Sequence, residues 1–479
     1  MLDRLAPFMP QVARRRAFLM AWLGGCCTTA MAQAEPPAAT PPPAFQLLRQ
    51  NEDWSRFRTG RDSSWLDAMK HIELGSAGDI WLSLGGRVDT RFEAWDGFGF
   101  GATNPGNSDT FTLTKAMLHG DLHLGESWRV FVEGRSAQAT ERELPGRRRG
   151  VDVDTLDVFQ AFVDFDTGLG GGAALRLRAG RQSLLFGAQR LVSPLPWVNV
   201  WNAWDGAGAR LRVGEWAVDG FLSWLVAVDE TGANETDEDK SLYGVHASRG
   251  PVNQGRGLDL YLLGNTRPDV LVNGTRGDER RHTVGGRSYG PLGSGFDGEL
   301  EAAYQFGAVG PGSVSAWFVS TVLGHKWSER ALQPRVFVGF DAASGDDRAG
   351  GSVGTFHQLF PLGHAYFGFA DAVGRQNITA LQLGVQLWFA PQTTASLTAH
   401  AFRLLERSDA LYGVNGAVSR QGLGNRDVGQ ELDLLVTHRF HRHLEAYLGY
   451  SHIFAGGGIA ASGAAEDQDL FYVGAASQF

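Results

Sequence analysis

The sequence predicts an all-β protein, a transmembrane antiparallel β-barrel of about 18 strands with long outer loops and short periplasmic turns. Segments of roughly ten residues alternate between apolar and polar side chains, which is the period expected of barrel strands. The connections between these segments are alternately long and short. The last segment, Leu470 to Phe479, ends the chain on an aromatic residue, as outer-membrane barrels do for the machinery that assembles them.

The first strand shows the alternation most clearly. One face carries Leu82, Leu84, Val88, Phe92 and Ala94, and the other carries Ser83, Arg87, Asp89, Arg91 and Glu93. Successive side chains of a strand point to opposite faces. We therefore expect the apolar face to meet lipid and the charged face to line a polar lumen.

Eighteen strands of this kind can be placed, and an even number is the rule for bacterial single-chain barrels. They are predicted at Ile80–Trp95, Phe111–Leu124, Ser127–Gln138, Thr155–Phe165, Ala174–Ser183, Ala207–Val213, Trp216–Ala227, Lys240–Ser248, Gly257–Gly264, His282–Tyr289, Phe296–Phe306, Ser315–His325, Gln333–Ala342, Asn377–Phe389, Thr394–Leu404, Gly429–Arg439, His443–Phe454 and Asp469–Gln478.

Connection lengths test this count. Connections after odd-numbered strands are mostly long, as in Leu184–Gly206, and those after even-numbered strands are mostly short, as in Gly214–Glu215. This alternation predicts that both termini lie in the periplasm. Two middle connections, Arg249–Arg256 and Gly307–Val314, do not differ in length, although one should be inner and the other outer. The number of strands predicted in the middle of the chain could therefore be wrong by two.

The N-terminus predicts three segments. Residues 1–32 form a signal peptide, with basic residues Arg14 to Arg16, a short apolar stretch and an Ala-x-Ala cleavage site ending at Ala32. Two alternatives are a twin-arginine signal, which carries folded proteins and does not suit a membrane barrel, and lipidation of Cys26. Residues 33–78 form a Pro-rich linker and a periplasmic N-terminal segment expected to pack against the barrel mouth. Residues 79–479 form the outer-membrane barrel.

Composition excludes several classes of site. Both cysteines, Cys26 and Cys27, lie in the leader, so the mature chain has no disulfide, thiolate or cysteine-metal chemistry. The leader carries a net charge of +3, so its removal takes the formal charge from −9 to −12, which argues against nucleic-acid binding. After the leader no run of ~18 apolar residues could form a membrane-spanning helix.

Several segments resemble the alginate-export family of bacterial outer-membrane β-barrel porins. They are Asn51 to Trp54 with Trp81 to Gly86, Gln160 to Asp164, Ala179 to Gln182 with Phe186 to Leu211, and Ala343 to Asp346 with Thr355 to Asp371. The resemblance implies an outer-membrane channel, and a polyuronate such as alginate is one candidate solute. The family often has a glutamate after the Gly-Gly pair where this chain has Arg87, so fine selectivity is not carried over.

Charged side chains on the inward parity divide into two walls. In the first six strands the cations exceed the anions, and in the later strands acidic residues such as Asp297, Glu299 and Glu301 prevail. The predicted basic pathway consists of Arg87, Arg91, Lys115, Arg129, Arg135, Arg176, Arg178, Arg210 and Arg212. Two interpretations stay open. The charged residues form salt bridges with one another inside a polar lumen, or the basic residues form a pathway for an anionic solute and face an acidic wall.

The connection Leu184–Gly206 contains prolines and three tryptophans. One interpretation is a constriction loop that folds into the lumen, an assignment that the family resemblance favours. Its expected residues are Arg181, Arg190, Trp197, Asn199 and Asp205. The alternative is an aromatic girdle at the membrane interface.

The leading functional hypothesis is a channel for anionic saccharides or other organic anions, in contact with outer-membrane lipid. The alternatives are a surface receptor or adhesin, and a barrel enzyme without an open pore. The sequence contains no G-x-S-x-G, P-loop or H-E-x-x-H motif, and its histidines do not show a spacing typical of a metal site. No catalytic residue and no cofactor is therefore predicted, and the oligomeric state is not fixed.

Overall fold

The computed structural model describes residues 45–58, 65–75, 78–103, 106–250 and 255–479. The predicted signal peptide 1–32, with Cys26, and the start of the Pro-rich linker lie outside the described residues. Within the described ranges no helix is long and apolar enough to cross a membrane, and no group of three His, Cys, Asp or Glu side chains is arranged to hold a metal ion.

In the described part of the chain, eighteen antiparallel strands form one closed barrel, which confirms the predicted fold class and strand count. In chain order they are β1 (Ile80–Asp96), β2 (Asp109–Leu124), β3 (Trp128–Ala139), β4 (Asp154–Gly170), β5 (Ala173–Gln182), β6 (Trp204–Val213), β7 (Trp216–Ala227), β8 (Glu235–Arg249), β9 (Gly257–Val272), β10 (Thr275–Gly293), β11 (Phe296–Val309), β12 (Gly312–Lys326), β13 (Arg335–Ala343), β14 (Ile378–Ala390), β15 (Thr393–Leu404), β16 (Asp427–His441), β17 (Leu444–Ala455) and β18 (Gln468–Gln478). Each strand pairs with its sequence neighbours.

Strand β1 closes the ring because it pairs with both β2 and β18. Arg87 lies opposite Gln478, and Asp96 lies opposite Asp469. The terminal Phe479 continues this ladder through two main-chain hydrogen bonds with Gly86, of 3.0 and 3.1 Å. A closed ring leaves no unpaired strand edge, which the interior of a bilayer would not tolerate.

The two faces of the barrel follow the predicted parity. Val88 and Phe92 are 46% and 37% exposed on the outer face, whereas Arg91 and Lys115 are 9% and 4% exposed inside. The outward positions are predominantly apolar around the ring, and the inward positions are predominantly polar or charged. This is the arrangement of a barrel that meets lipid outside and encloses a polar lumen.

Two hairpins in the middle of the chain differ from the predicted lengths. Strands β9 and β10 continue to the two-residue turn Asn273–Gly274, where both residues have positive φ, and β11 and β12 meet at another tight turn. The predicted ends at Gly264 and His282 were wrong because residues 265–281 are apolar only at 270–272, so the apolar alternation stops while the backbone ladder continues. The longer connections fall at 250–256 and 327–334, which explains the ambiguity in the predicted count.

The described part of the N-terminal segment lies inside the mouth at the end with the short connections. Arg49 donates hydrogen bonds to the carbonyl oxygens of Gly86 (3.1 Å) and Phe479 (2.7 Å), and it pairs with Glu52 at 2.6 Å. Arg129 on β3 donates to the Gln50 carbonyl at 2.9 Å. Further along, Ile72–Glu73 pairs with the start of β1. The segment is therefore bound to the barrel wall through buried polar contacts.

Lys70 holds the second half of this segment in place. Its Nζ donates to the Leu84 carbonyl at 2.8 Å and lies 5.1 Å from the centroid of the Trp54 ring. Burial, reinforced by the positive charge of Arg49, lowers the pKa of Lys70 to about 7 from 10.5. The docked segment therefore prefers a neutral lysine over a pH range in which an undocked lysine is protonated.

The first prediction concerns lipid exposure. Val88→Arg should destabilise the barrel by about 2–4 kcal/mol, because an arginine on the lipid face near the bilayer midplane is costly. Leu271→Arg is the matched control. Leu271 is 64% exposed near the tip of the long β9–β10 hairpin, where we expect a cost of about 0–1 kcal/mol. Urea unfolding in phospholipid vesicles measures both, and equal costs would contradict the assignment of faces and depth.

The second prediction concerns pH. Between pH 7 and 10.5 the undocked segment binds the Lys70 proton and the docked segment releases it, so raising the pH should favour docking. A spin label on Gln46→Cys, in a mature chain expected to lack other cysteines, reports the immobile fraction of the segment. That fraction should rise from pH 7 to 10 in the parent protein and stay flat in Lys70→Met. A rise of the same size in Lys70→Met would assign the effect to another group.

Candidate functional site: the lumen and its two inward loops

Two connections on the same end of the barrel fold into the lumen. The β5–β6 loop, residues 183–203, and the β13–β14 loop, residues 344–377, supply many of the buried side chains of the interior core. They pair with each other, because the Phe360 amide donates to the Leu191 carbonyl and the Leu362 amide donates to the Gln189 carbonyl, both at 2.9 Å. The predicted constriction loop thus has a partner loop that the sequence reasoning did not place in the lumen.

Arg190 anchors the β5–β6 loop to the acidic wall. Its guanidinium contacts the carboxylates of Glu299 and Glu301 on β11, the latter at 2.9 Å, and all three side chains are at least 95% buried. A buried charge is tolerated when it is paired and hydrogen-bonded. The carboxylates that give this wall its negative charge are therefore occupied by a loop arginine.

Arg375 does the same for the β13–β14 loop. It is 1% exposed and lies 3.1 Å from Asp341 on β13, while one of its nitrogens donates to the Arg190 carbonyl at 3.2 Å. Its guanidinium also lies 4.7 Å from the centroid of the Phe367 ring. Each inward loop thus carries one buried arginine that neutralises the acidic wall.

Basic side chains of the opposite wall donate hydrogen bonds to main-chain oxygens of the β5–β6 loop. Arg91 donates to the Trp197 carbonyl at 2.7 Å, and Lys115 donates to the Val198 carbonyl at 3.2 Å. Arg135 likewise donates to the Trp201 carbonyl at 2.8 Å. The loop therefore spans the lumen, with its carbonyls on the basic wall and Arg190 on the acidic wall.

Aromatic stacking joins the two loops beside Arg91. The Arg91 guanidinium lies 3.6 Å from the centroid of the Trp197 ring, which stacks on His364 with centroids 3.6 Å apart. Asp371 accepts from Trp197 Nε1 at 2.8 Å and lies 3.1 Å from His364 Nδ1. One carboxylate thus links the tryptophan of one loop to the histidine of the other.

A cavity of about 830 Å³ lies against these loops. Its lining includes six of the predicted residues, namely Arg87, Arg91, Lys115, Arg190, Trp197 and Asn199. On this side Asp89 is shared by two cations, with Arg87 at 2.8 Å and Lys115 at 3.5 Å. Leu47 of the N-terminal segment also lines the cavity, so the segment reaches this space.

Arg181 and Asp205 hold the base of the β5–β6 loop from the outer face. They face each other across β5 and β6, and two hydrogen bonds of 2.9 Å join them. Both share the strand parity of the outward-facing Leu177 and Val213, which are 44% and 50% exposed. They therefore lie at the two ends of the loop, and they point away from the lumen.

The other predicted pathway cations lie beyond the cavity lining. Arg129, Arg176 and Arg178 are engaged with carboxylates of β2 and β4, such as Asp164, which is fully buried. Arg135 pairs with Asp154 at 2.5 Å, and Arg210 pairs with Asp219 at 2.9 Å. Arg212 is exposed near the turn after β6. For these residues the contacts fit the salt-bridge interpretation.

The sequence reasoning missed several lining residues on the opposite wall. They include Lys326 and Arg330 near the β12–β13 connection, with Gln382, Gln386 and Trp388 on β14. His364, Tyr366 and Phe369 come from the second inward loop. The inward parity of β12 to β14 could have identified the strand residues, whereas an inward loop carries no periodic signal.

A family model described as alginate export matches residues 80–473. The chain belongs to the alginate export family. This membership and the closed barrel place it in the bacterial outer membrane, as predicted. No curated protein matches the chain.

Solved structures share the fold of this member of the alginate export family at low sequence identity. OccD3 of Pseudomonas aeruginosa has a TM-score of 0.54 at 11% identity, with 83% of this chain and 91% of that chain covered. OccK2 of the same organism, in complex with glucuronate, has a TM-score of 0.53 at 11% identity over 86% and 98%. OpdK with vanillate has a TM-score of 0.54 at 10% identity over 83% and 98%.

The third prediction tests the link between the loops. Asp371→Ala removes the acceptor of Trp197 Nε1 and the partner of His364, so the two loops should separate more readily and single-channel conductance should rise. Asp347→Ala is the control, because Asp347 belongs to the same loop but its side chain is 72% exposed. Heat-modifiable migration on gels should persist in both variants. Unchanged conductance in Asp371→Ala would mean that this carboxylate does not hold the loops.

Proposed function

We propose that the protein is an outer-membrane channel for anionic saccharides or organic anions, with export of a polyuronate such as alginate as one form of that activity. The observation that carries the proposal is the charge of the cavity. Its lining includes seven Arg and Lys residues and four Asp and Glu residues, although the whole chain has a net charge of −9. Cationic linings favour anion passage.

The anchoring of the loops supports this charge balance. Glu301 and Asp341 lie outside the cavity lining, and each is occupied by a buried arginine of an inward loop. On the opposite wall Asp89 serves two cations. The carboxylates of Glu299, Glu301 and Asp341 are therefore paired while the basic wall keeps an excess of positive charge, which raises the local concentration of anions.

The comparisons support the solute class. Two of the barrels with the same fold carry glucuronate and vanillate in their structures, and both molecules bear a carboxylate. In this chain Trp197, Tyr447 and Tyr472 line the cavity together with the cations. Aromatic faces beside cationic groups suit carboxylated sugars and carboxylated rings.

The orientation follows the same proposal. The short connections, the N-terminal segment and Phe479 share one end of the barrel, and we assign that end to the periplasm. Residues 1–32 are then the export signal, and the last strand is the part that the barrel assembly machinery recognises.

The fourth prediction concerns selectivity. Arg87→Gln should lower the preference for anions, because it removes positive charge from the cavity while Lys115 remains to pair with Asp89. Arg212→Gln is the control, since Arg212 does not line the cavity. Reversal potentials in a salt gradient across planar bilayers measure both variants. Equal selectivity in the parent protein and Arg87→Gln would mean that Arg87 on the basic wall does not determine the preference for anions.

A further inference from the structure

A buried lysine on the wall formed by β12 to β14 has no acidic partner. Lys326, the last residue of β12, is 8% exposed and lines the cavity. Its Nζ lies 3.7 Å from the centroid of the Trp388 ring, and it makes no hydrogen bond or ion pair with a side chain in the described part of the chain. The charged group that acts on it is Arg335, another cation. An uncompensated buried ammonium is costly, so this position favours an anion.

Arg335 does not compete for that anion. Its Nε and Nη2 donate to the two oxygens of Asp297 at 2.9 and 2.7 Å, a bidentate pair that satisfies its charge. Its Nη1 donates to Gln386 Oε1 at 3.2 Å. Because this bond fixes the amide oxygen of Gln386 toward Arg335, the Nε2 group of Gln386 is oriented away from Arg335 and can donate to a ligand.

Lys326 and Gln386 flank Arg335 at the same level of the sheet. Lys326 lies opposite Arg335 in the β12–β13 pair, and Arg335 lies opposite Gln386 in the β13–β14 pair. Trp388 follows Gln386 on the same strand face, since residues two apart in a strand share a side. The cation, the amide and the indole are therefore carried by β12 and β14, the two strands that flank β13, rather than by loops, which keeps their spacing fixed.

We propose that Lys326, Gln386 and Trp388 form a subsite for the carboxylate of a hexuronate unit. The inference rests on the proposed channel function and adds a specific contact point at the end with the short connections. Lys326 supplies the charge, and Gln386 supplies a second donor for the other carboxylate oxygen. The Trp388 ring holds the ammonium by a cation–π contact and provides apolar surface for the sugar ring.

Current block by glucuronate tests the subsite. The full-length mature protein is placed in planar bilayers, and glucuronate is added on the side of the short connections. Lys326→Met should weaken the block by about tenfold, because a hydrogen bond to a charged group is lost. Lys326→Arg should retain most of it, and Gln386→Met, which keeps the lysine, should weaken it to a smaller extent. Arg256→Gln, an exposed arginine at the same end, should not change it.

Glucose and acetate show how much of the block depends on the carboxylate and how much on the sugar ring. Glucose lacks the carboxylate and acetate lacks the sugar ring, so both should block the parent channel more weakly than glucuronate does. If the parent protein conducts and glucuronate blocks it equally in Lys326→Met and Gln386→Met, the subsite is wrong and the channel function stands. If the parent protein does not conduct, the proposed function itself is wrong, and the subsite falls with it. Equal block by acetate would overturn the hexuronate assignment.

Discussion

The arrangement of the lumen depends on the contact of Arg190 with Glu299 and Glu301. A barrel of 18 strands is wide enough to leave an aqueous channel, so a loop inside it needs a strong interaction to stay there. Here the anchor is a guanidinium buried between two carboxylates of β11. Removing one member of such a group leaves an unpaired buried charge, which is far more costly than the loss of an exposed ion pair.

Once Arg190 is fixed, the remaining contacts of the loops follow. The carbonyls of Trp197, Val198 and Trp201 meet basic side chains on β1, β2 and β3, so the loop crosses from one wall to the other. The second loop then packs along the first, and Arg375 extends the same pairing to Asp341. The acidic side chains thus serve the structure, and the positive charge that remains is available to a solute. Of the predicted basic residues, Arg129, Arg176 and Arg178 are salt-bridge partners outside the cavity, whereas Arg87, Arg91 and Lys115 line it.

The sequence was sufficient for the barrel but not for the interior. Strand number and parity could be predicted because each strand repeats a two-residue pattern imposed by lipid on one side and water on the other. That pattern ends in the β9–β10 hairpin, where apolar and polar residues no longer alternate beyond Gly264, and the strand boundaries were wrong there. The loops have no such pattern. Arg190 could be nominated, but its partners Glu299 and Glu301 lie more than one hundred residues away.

The outward position of Arg181 and Asp205 shows the same limit. Both were nominated for the constriction loop, yet the side of the strand on which they pair follows from the parity of Leu177 and Val213. Lys326, which was missed, lies on a strand that the sequence assigned to the acidic wall. The total charge of the acidic wall did not show which of its charged side chains are paired. Glu299, Glu301 and Asp341 are paired with arginines of the inward loops, whereas Lys326 has no acidic partner among the described residues.

A double-mutant cycle between Arg190 and Glu301 tests the account most directly. The free energy of unfolding in phospholipid vesicles is measured for the parent protein, Arg190→Met, Glu301→Gln and the double variant. If the loop is anchored by this pair, the coupling energy should be about 1.5–3 kcal/mol, because residues in one buried charge network do not act additively. A coupling energy below about 0.5 kcal/mol, as found for independent sites, would mean that the loop is not held against the acidic wall by Arg190.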